Sequence, residues 1–254
     1  MTAIVAIPAR LKSTRFPRQV LADLNGKPML WYVYSAVNSA QRISGTWVLS
    51  DSQEVLDAAE SWGAQTMLTD EDCPSGTARI ASVIDRIEAD YVINVQGDEP
   101  LMTTEVVDTL ITALENSDAD VVTPVFRIET LEDLTDVNLN KVVRAADGRA
   151  LYFSHNSIPF VRDEPQENWL AHAPFWGHVG VYGYRRKVLE EYDQLPEGLL
   201  EGAEKLEQLR LLEAGKTILT VELNYRPMGV DVPADLDKVK KILAAETGSN
   251  DRNL

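Results

Sequence analysis

Apolar and polar positions alternate in blocks that predict strands and helices in turn over the first 115 residues. The β-branched run at residues 3–7 is typical of a buried strand, and the spacing i, i+3, i+4, i+7 of Ile80, Val83, Ile84 and Ile87 is typical of an amphipathic helix. Further strands are predicted at 46–50, 65–68 and 91–95, and further helices at 28–37 and 52–62. One more helix is predicted from the apolar positions Val106, Val107, Leu110, Ile111 and Leu114. Strands that alternate with helices predict an α/β fold with a Rossmann-like, mostly parallel central sheet.

The pattern changes after residue 120. Four strand-like pieces between residues 121 and 184 have little helix between them, which favours a small mixed or antiparallel extension of the sheet. The polar, proline-containing stretch 162–176 is predicted to be a mobile loop that closes over a ligand. The remaining predictions are helices at 186–195 and 203–214, a strand at 217–223, a last helix through residue 243, and a flexible tail at 247–254.

Composition limits the classes of partner. The 254 residues carry a formal net charge of -16, which disfavours nucleic acid and anionic membranes as partners. The single cysteine, Cys73, excludes an intramolecular disulfide and a thiolate metal site. With no apolar run as long as a membrane span, we expect a cytoplasmic protein.

Four cations follow the first strand within nine residues, with no acid before Asp23. They are Arg10, Lys12, Arg15 and Arg18. Open α/β sheets bind ligands at the carboxyl ends of their strands, and guanidinium groups match phosphate oxygens. The loop therefore predicts a polyphosphate site, with a solvated basic loop as the alternative.

Two acids follow other predicted strands. Asp98 lies in the turn Gln-Gly-Asp-Glu-Pro after the strand at 91–95, and Asp231 lies in Gly-Val-Asp-Val-Pro before the last helix. Two such carboxylates predict a Mg²⁺ site facing the phosphates. The alternative is that Asp98 caps the following helix or pairs with an arginine, and that Asp231 is a helix N-cap. The motifs of dinucleotide oxidoreductases and P-loop ATPases are absent from the sequence.

Seven motifs then resemble a known family in order and spacing: IPARLKSTRFP, SGTARI, VINVQGDEP, ALYFSHNSIPF, HVGVYGYR, KLEQLRLLEAG and GVDVPADLDKV. The chain resembles the bacterial 3-deoxy-manno-octulosonate cytidylyltransferases, or CMP-Kdo synthetases, from about Ile4 to Leu243. The resemblance implies a GT-A-like nucleotidyltransferase fold, a homodimer, CTP, Mg²⁺, a sugar-acid acceptor such as Kdo, and a role in lipopolysaccharide biosynthesis. It also implies one domain over 1–246, with a nucleotide-binding half to about residue 120 and a sugar-binding and dimerisation half after it.

The resemblance also implies roles for individual residues. The expected nucleotide-binding residues are Ala9, Arg10, Ser13, Arg15, Gln19, Ser75, Gly76, Thr77 and Arg79. The expected sugar-binding residues are Gln96, His155, His178, Tyr182, Glu207 and Gln208. Asp98 and Asp231 are the expected metal ligands and, with Arg10 and Arg15, the expected catalytic residues. If protonated, His178 would bind the acceptor carboxylate, and the alternative is a hydrogen-bonded strand histidine.

Three positions depart from the family pattern. Gln19 stands where the family has a phosphate-facing lysine, Ala78 where it has a carboxylate, and His155 where it has an arginine. These departures leave open an acceptor other than Kdo, such as an amino-ulosonic or nonulosonic acid. Gln19 also leaves open a catalytically weak, nucleotide-binding regulatory protein.

Overall fold

A computed structural model describes residues 1–13 and 16–250 of the chain, with the side chains of 1–13 and 16–245. Twelve strands lie in these residues: β1 (Ala3–Pro8), β2 (Asp23–Leu24), β3 (Lys27–Pro28), β4 (Thr46–Ser50), β5 (Gln65–Leu68), β6 (Tyr91–Asn94), β7 (Val121–Arg127), β8 (Lys141–Arg144), β9 (Ala150–Ser154), β10 (Trp176–His178), β11 (Tyr182–Arg185) and β12 (Ile218–Glu222). Ten of them form one sheet, and β2 and β3 form a small hairpin.

The sheet combines a parallel half with an antiparallel extension. Its order is β5-β4-β1-β6-β11-β7-β10-β8-β9. Strand β12 is not in this order, because it pairs in parallel with β7 alone. Strands β5, β4, β1 and β6 run parallel, whereas β11 is antiparallel to both β6 and β7. Strands β8, β9 and β10 are joined by antiparallel pairing. The predicted α/β fold with its mixed extension is therefore confirmed.

Ten helices accompany the described strands. They are α1 (Met29–Val37), α2 (Gln53–Glu60), α3 (Gly76–Ala81), α4 (Thr104–Glu115), α5 (Leu131–Thr135), α6 (Trp169–His172), α7 (Arg186–Glu191), α8 (Leu199–Glu204), α9 (Gln208–Glu213) and α10 (Pro233–Asn250). The backbone of α10 runs to Asn250, and the rest of the predicted tail lies outside the described residues. None of the helices in the described part of the chain is long and apolar enough to cross a membrane.

Two predicted helices are shorter than their apolar spacing indicates. The helix after Gly76 ends at Ala81, because Val83 leaves helical geometry at φ −126° and ψ 4°, and only a 3₁₀ turn follows at Ile84–Arg86. The helix predicted at 203–214 is interrupted by Lys205, which adopts a left-handed conformation at φ 57°. In both cases apolar side chains pack inward without a continuous helix.

The segment 162–176 contains a short helix where an irregular loop was predicted. Trp169, at the start of α6, is buried and stacks on Phe175 with their ring centroids 6.1 Å apart. Its indole N–H donates to the Glu164 carbonyl at 3.0 Å. An aromatic side chain thus ties this segment to the core.

Core side chains cover both faces of the central strand β1. Val5 and Ile7 pack on one face with helices α1 and α4, and Ile4 and Ala6 pack on the other face with α3. A strand buried on both faces reads as a continuous apolar run, which explains the pattern at residues 3–7.

A third apolar cluster positions the end of the chain beside the parallel half. Leu24 and Met29, which follow the basic loop, pack against Val230 and against Leu236 and Val239 of α10. This packing brings the turn that carries Asp231 to the carboxyl end of β1.

Candidate active site

A cavity of about 200 Å³ lies beyond the carboxyl ends of β1 and β6. Six of the predicted nucleotide-binding residues line it: Arg10, Ser13, Gln19, Ser75, Gly76 and Arg79. Gln96 and both predicted metal ligands, Asp98 and Asp231, line it as well. Residues from four distant parts of the chain therefore meet where parallel sheets bind their ligands.

Two of the three described cations of the basic loop form ion pairs with acidic side chains. Arg10 lines the cavity, whereas Lys12 forms an ion pair with Glu71 and Arg18 forms one with Glu54. Arg15 lies outside the described residues. Lys12 and Arg18 lie outside the lining of this cavity, but both line a neighbouring cavity together with Arg10 and Ser13.

Ala9, which was predicted to bind the nucleotide, is instead hydrogen-bonded to the neighbouring strand β4. It is buried, and its N–H donates to the Leu49 carbonyl at 2.9 Å. That amide is already used by the fold. Ala9 is outside the cavity lining and packs beneath it beside Gly97.

The Ser75–Arg79 turn is fixed by its own hydrogen bonds. The Ser75 hydroxyl accepts from the Ala78 N–H at 3.1 Å and caps α3. Arg79 is only 3% exposed, donates to the Asp70 carbonyl at 3.0 Å and lies 3.8 Å from Asp51. Burial of a guanidinium requires such partners, so Arg79 serves first to hold the turn.

Asp51 is a site residue that the sequence reasoning missed. It follows β4, and its carboxylate accepts from the Leu11 N–H at 3.2 Å while facing Arg79. It therefore joins the basic loop to the Ser75–Arg79 turn. Its position could have indicated a role in the site, since it is an acid directly after a buried strand.

Asp98 and Asp231 form a like-charge pair in the cavity. Burial raises the pKa of the Asp98 carboxyl, and the neighbouring Asp231 raises it further. Hydrogen bonding from Gln19 and the charge of Arg10 oppose that shift in pKa. A carboxylate pair of this kind is stabilised by a cation between its members.

Glu99 is a second residue to which sequence reasoning gave no role. Burial raises its pKa to about 8, and the charge of Asp98 contributes to the rise. Among the described residues its Oε2 atom is buried without a hydrogen-bond partner. Its position next to Asp98 in the Gln-Gly-Asp-Glu-Pro turn could have indicated that it lies near the site.

The predicted sugar-binding residues divide into three groups. Gln96 lines the cavity and donates to the Asn94 side chain at 3.3 Å. His155 lies apart from the cavity lining, and its Nδ1 is 2.6 Å from the Val137 carbonyl oxygen. His178, Tyr182 and Gln208 are buried and, with the partly buried Glu207, form a group, here called the buried group, that also stands outside the lining.

Hydrogen bonds connect the cavity to this buried group. Asn94 donates to Thr77 at 3.3 Å, and the Thr77 hydroxyl donates to Glu207 at 2.9 Å. The Thr77 hydroxyl is also 3.0 Å from the Tyr184 hydroxyl. Thr77 was predicted to bind the nucleotide, but its side chain is fully buried beneath the turn and holds Glu207.

The buried group keeps three polar atoms without a partner among the described residues. They are His178 Nδ1, Glu207 Oε2 and Gln208 Nε2. Buried polar atoms are normally bonded to protein, water or ligand, so these atoms mark the group as suited to a polar ligand.

His178 is neutral in this setting. Burial lowers its pKa to about 3, and its Nε2 lies 2.9 Å from the Thr123 hydroxyl. The condition for binding a carboxylate by charge, a protonated ring, is therefore not met, and the contact with Thr123 agrees with the alternative of a hydrogen-bonded strand histidine. The ring can still act as a hydrogen-bonding group.

The family model described as Cytidylyltransferase matches residues 4–218. The chain belongs to the cytidylyltransferase family. The 3-deoxy-manno-octulosonate cytidylyltransferase of Chloroherpeton thalassium is 43% identical over 248 residues, which cover 96% of this chain and 98% of that protein. The enzyme of the same name from Escherichia coli is 38% identical over 248 residues, with 98% of each chain covered.

A solved structure of CMP:2-keto-3-deoxy-manno-octonic acid synthetase in complex with CTP has the same fold. It superimposes with a TM-score of 0.91 at 38% identity and covers 97% of this cytidylyltransferase family member and 100% of the solved chain. A cytidylyltransferase from Leptospira borgpetersenii, at 13% identity and a TM-score of 0.64, shares the fold alone. The predicted family and fold are confirmed.

Proposed function

We propose that this protein transfers the cytidylyl group of CTP to the anomeric hydroxyl of a 2-keto-3-deoxy sugar acid, Kdo or a close analogue. The products are the CMP-sugar and pyrophosphate. The observation that carries the proposal is the convergence of Arg10, Ser13, Asp98 and Asp231 on one cavity. The full-length similarity to 3-deoxy-manno-octulosonate cytidylyltransferases supports the same acceptor class.

The triphosphate is assigned to the side of the cavity formed by the basic loop. Arg10 offers a forked donor to phosphate oxygens, and Ser13 offers a hydroxyl. The Ser75–Arg79 turn is assigned to the base and ribose, because its rigid cap presents α3 to the same cavity. These groups act by positioning, which is most of what phosphoryl-type transfer requires from a protein.

The two aspartates fit a divalent cation. In the described residues no group of three or more His, Cys, Asp or Glu side chains could hold a metal ion, and the proposed protein ligands are the pair Asp98 and Asp231. Mg²⁺ is commonly held by one or two carboxylates together with substrate phosphates, which matches Asp98 and Asp231 beside Arg10. When bound, Mg²⁺ would neutralise phosphate charge and lower the pKa of the attacking hydroxyl.

The acceptor is assigned to the Gln96 side of the cavity. The hydrogen-bonded chain from Gln96 through Asn94 and Thr77 leads to the unpartnered atoms of His178, Glu207 and Gln208. From this side the anomeric hydroxyl oxygen would attack the α-phosphorus in line as the bond from that phosphorus to the pyrophosphate oxygen breaks. The hydroxyl proton would be released to water, and pyrophosphate would leave on the Arg10 side.

Pyrophosphate release with CTP and a panel of sugar acids tests the proposal. We expect release that depends on both CTP and the acid, with a CMP-sugar detected by mass spectrometry. Absence of release with every ulosonic and nonulosonic acid, despite CTP binding by calorimetry, contradicts it and favours a nucleotide-binding regulatory protein.

An acceptor that differs from Kdo is the second candidate. It is favoured by Gln19, Ala78 and His155, which replace a lysine, a carboxylate and an arginine of the family pattern. Loss of a hydrogen-bonding partner changes substrate choice by large factors. In the same panel, a higher kcat/KM for an amino-ulosonic or nonulosonic acid than for Kdo identifies this case.

The cellular setting is also a proposal. A cytoplasmic homodimer that serves lipopolysaccharide biosynthesis, without nucleic acid or membrane as partner, agrees with the net charge of -16 and with the relatives' names. Exposed Leu151, Phe160 and Leu199 offer apolar surface in the half assigned to dimerisation. Light scattering should give twice the 28.2 kDa chain mass.

A further inference from the structure

The Gln19 side chain lies between the two turns that carry the aspartates. It is 9% exposed, and its Nε2 donates to Asp98 Oδ2 at 3.3 Å. The same Nε2 donates to the Val230 carbonyl, one residue before Asp231. One amide group therefore uses both of its N–H bonds on the metal-ligand turns.

Gln19 belongs to a third segment of the site. It begins a 3₁₀ turn directly after Arg18, whose left-handed conformation at φ 60° directs the chain inward. The aspartate turns are also joined by the Val230 N–H, which donates to the Asp98 carbonyl at 3.0 Å. Gln19 thus completes a connection between the basic loop, the Asp98 turn and the Asp231 turn.

The amide holds these groups without adding charge. Its two donated hydrogen bonds tie Asp98 to the backbone carbonyl beside Asp231. A lysine at the same place would make similar bonds but would also neutralise part of the carboxylate pair. A neutral amide at this place therefore adds no positive charge that would repel an incoming cation.

We propose that Gln19 is a positioning residue that aligns Asp98 and Asp231 for a divalent cation and, by being neutral, makes this site bind that cation more tightly than a lysine would allow. The inference rests on the proposed function, because it takes the two aspartates as the metal ligands.

Binding of Mn²⁺ to the full chain without CTP or acceptor tests the inference, by calorimetry and by electron paramagnetic resonance. Gln19→Met keeps the side-chain length but removes both donors, and we expect Mn²⁺ affinity to fall about tenfold. Gln19→Lys restores donors but adds a positive charge, and we expect Mn²⁺ affinity to fall about a hundredfold. The loss of affinity should become smaller as the salt concentration is raised. Gln41→Met, at an exposed position, is the matched control.

The outcomes separate this inference from the proposed function. Mn²⁺ affinities of Gln19→Met and Gln19→Lys within twofold of the unchanged protein overturn the inference alone. No Mn²⁺ binding by the unchanged protein overturns both the inference and the metal assignment. Weakened Mn²⁺ binding without pyrophosphate release by the unchanged protein supports the inference and contradicts the proposed reaction. If Gln19→Met fails to fold by circular dichroism, Gln19→Lys still decides the effect of charge.

Discussion

At the scale of single residues, the partners of a cation decide whether it is available to a substrate. Arg10 lines the cavity, whereas Lys12 is paired with Glu71. We expect Arg10→Met to weaken CTP binding between about tenfold and a hundredfold, since charged hydrogen bonds to phosphate are lost. Lys12→Met should stay within about twofold. Calorimetry with Mg²⁺ present measures both, and equal losses in the two variants would contradict the assignment of Arg10.

A second expectation at this scale concerns pH. Burial raises the pKa of Glu99 to about 8 from 4.5, so the folded protein keeps a proton that the unfolded chain releases. The free energy of unfolding should therefore fall as pH rises from 4.5 to about 8, by at most about 1.4 kcal/mol per pH unit for one proton.

Glu99→Gln should remove this part of the pH dependence and leave the variant more stable than the unchanged protein at pH 8. Urea unfolding with EDTA at pH 5.5, 7 and 8.5 measures the difference. Glu105→Gln, at an exposed position of α4, is the control. Parallel pH profiles for Glu99→Gln and the unchanged protein would show that this carboxyl is not protonated in the fold.

Residue types and strand ends were enough to locate much of the cavity, because Arg10, Asp98 and Asp231 each follow a predicted strand or precede a predicted helix. The roles of Lys12 and Gln19 were not accessible, since they depend on Glu71 and Val230, which are distant in sequence. Ion pairs between loops and amide bonds to distant carbonyls leave no periodic signal in a sequence.

At the scale of elements, the six-residue helix α3 depends on its cap. Ser75 accepts from the Ala78 N–H, and hydrogen bonds from Ser75 and Thr77 oppose the rise that burial gives to the pKa of Glu207. We expect Ser75→Ala to cost about 1 kcal/mol of stability and to weaken CTP binding, because the turn loses its fixed start.

Ser39→Ala is the control for this change, since the exposed Ser39 hydroxyl bonds only its own helix end through the Ser35 carbonyl. Thermal unfolding and CTP calorimetry measure both variants. A loss of stability in Ser75→Ala with unchanged CTP affinity would separate the cap from the nucleotide site.

Element type was predictable where apolar spacing and burial agreed, as in α4 and the strands of the parallel half. It was not predictable at Val83 and Lys205, where single residues leave helical geometry while the apolar positions beyond them remain buried. A spacing of three and four residues indicates which side chains face the core. A 3₁₀ turn places side chains with this spacing toward the core as an α-helix does, so the spacing does not distinguish the two.

At the scale of the whole molecule, the site is a junction between segments far apart in sequence. Arg10 follows β1, the Ser75–Arg79 turn begins α3, Asp98 follows β6, and Asp231 is held by the packing of α10. Global unfolding must separate all four. A ligand that contacts them together binds the folded state alone and therefore stabilises the entire sheet.

Thermal unfolding with and without ligand tests whether ligand binding stabilises the whole fold. With Mg²⁺ and CTP at a hundred times its Kd, we expect a gain of about 2.7 kcal/mol, which for a chain of this size raises Tm by about 5–10 °C. EDTA, or Asp98→Asn with Mg²⁺ present, should remove more than half of this shift. EDTA removes the cation between the triphosphate and the aspartates, and Asp98→Asn removes one of the two carboxylates proposed to hold that cation. Without ligand, Asp98→Asn should be no less stable than the unchanged protein, since burial and Asp231 both raise the pKa of Asp98 and so disfavour its charge in the fold. A shift of equal size with EDTA would mean that CTP binds without engaging the two aspartates.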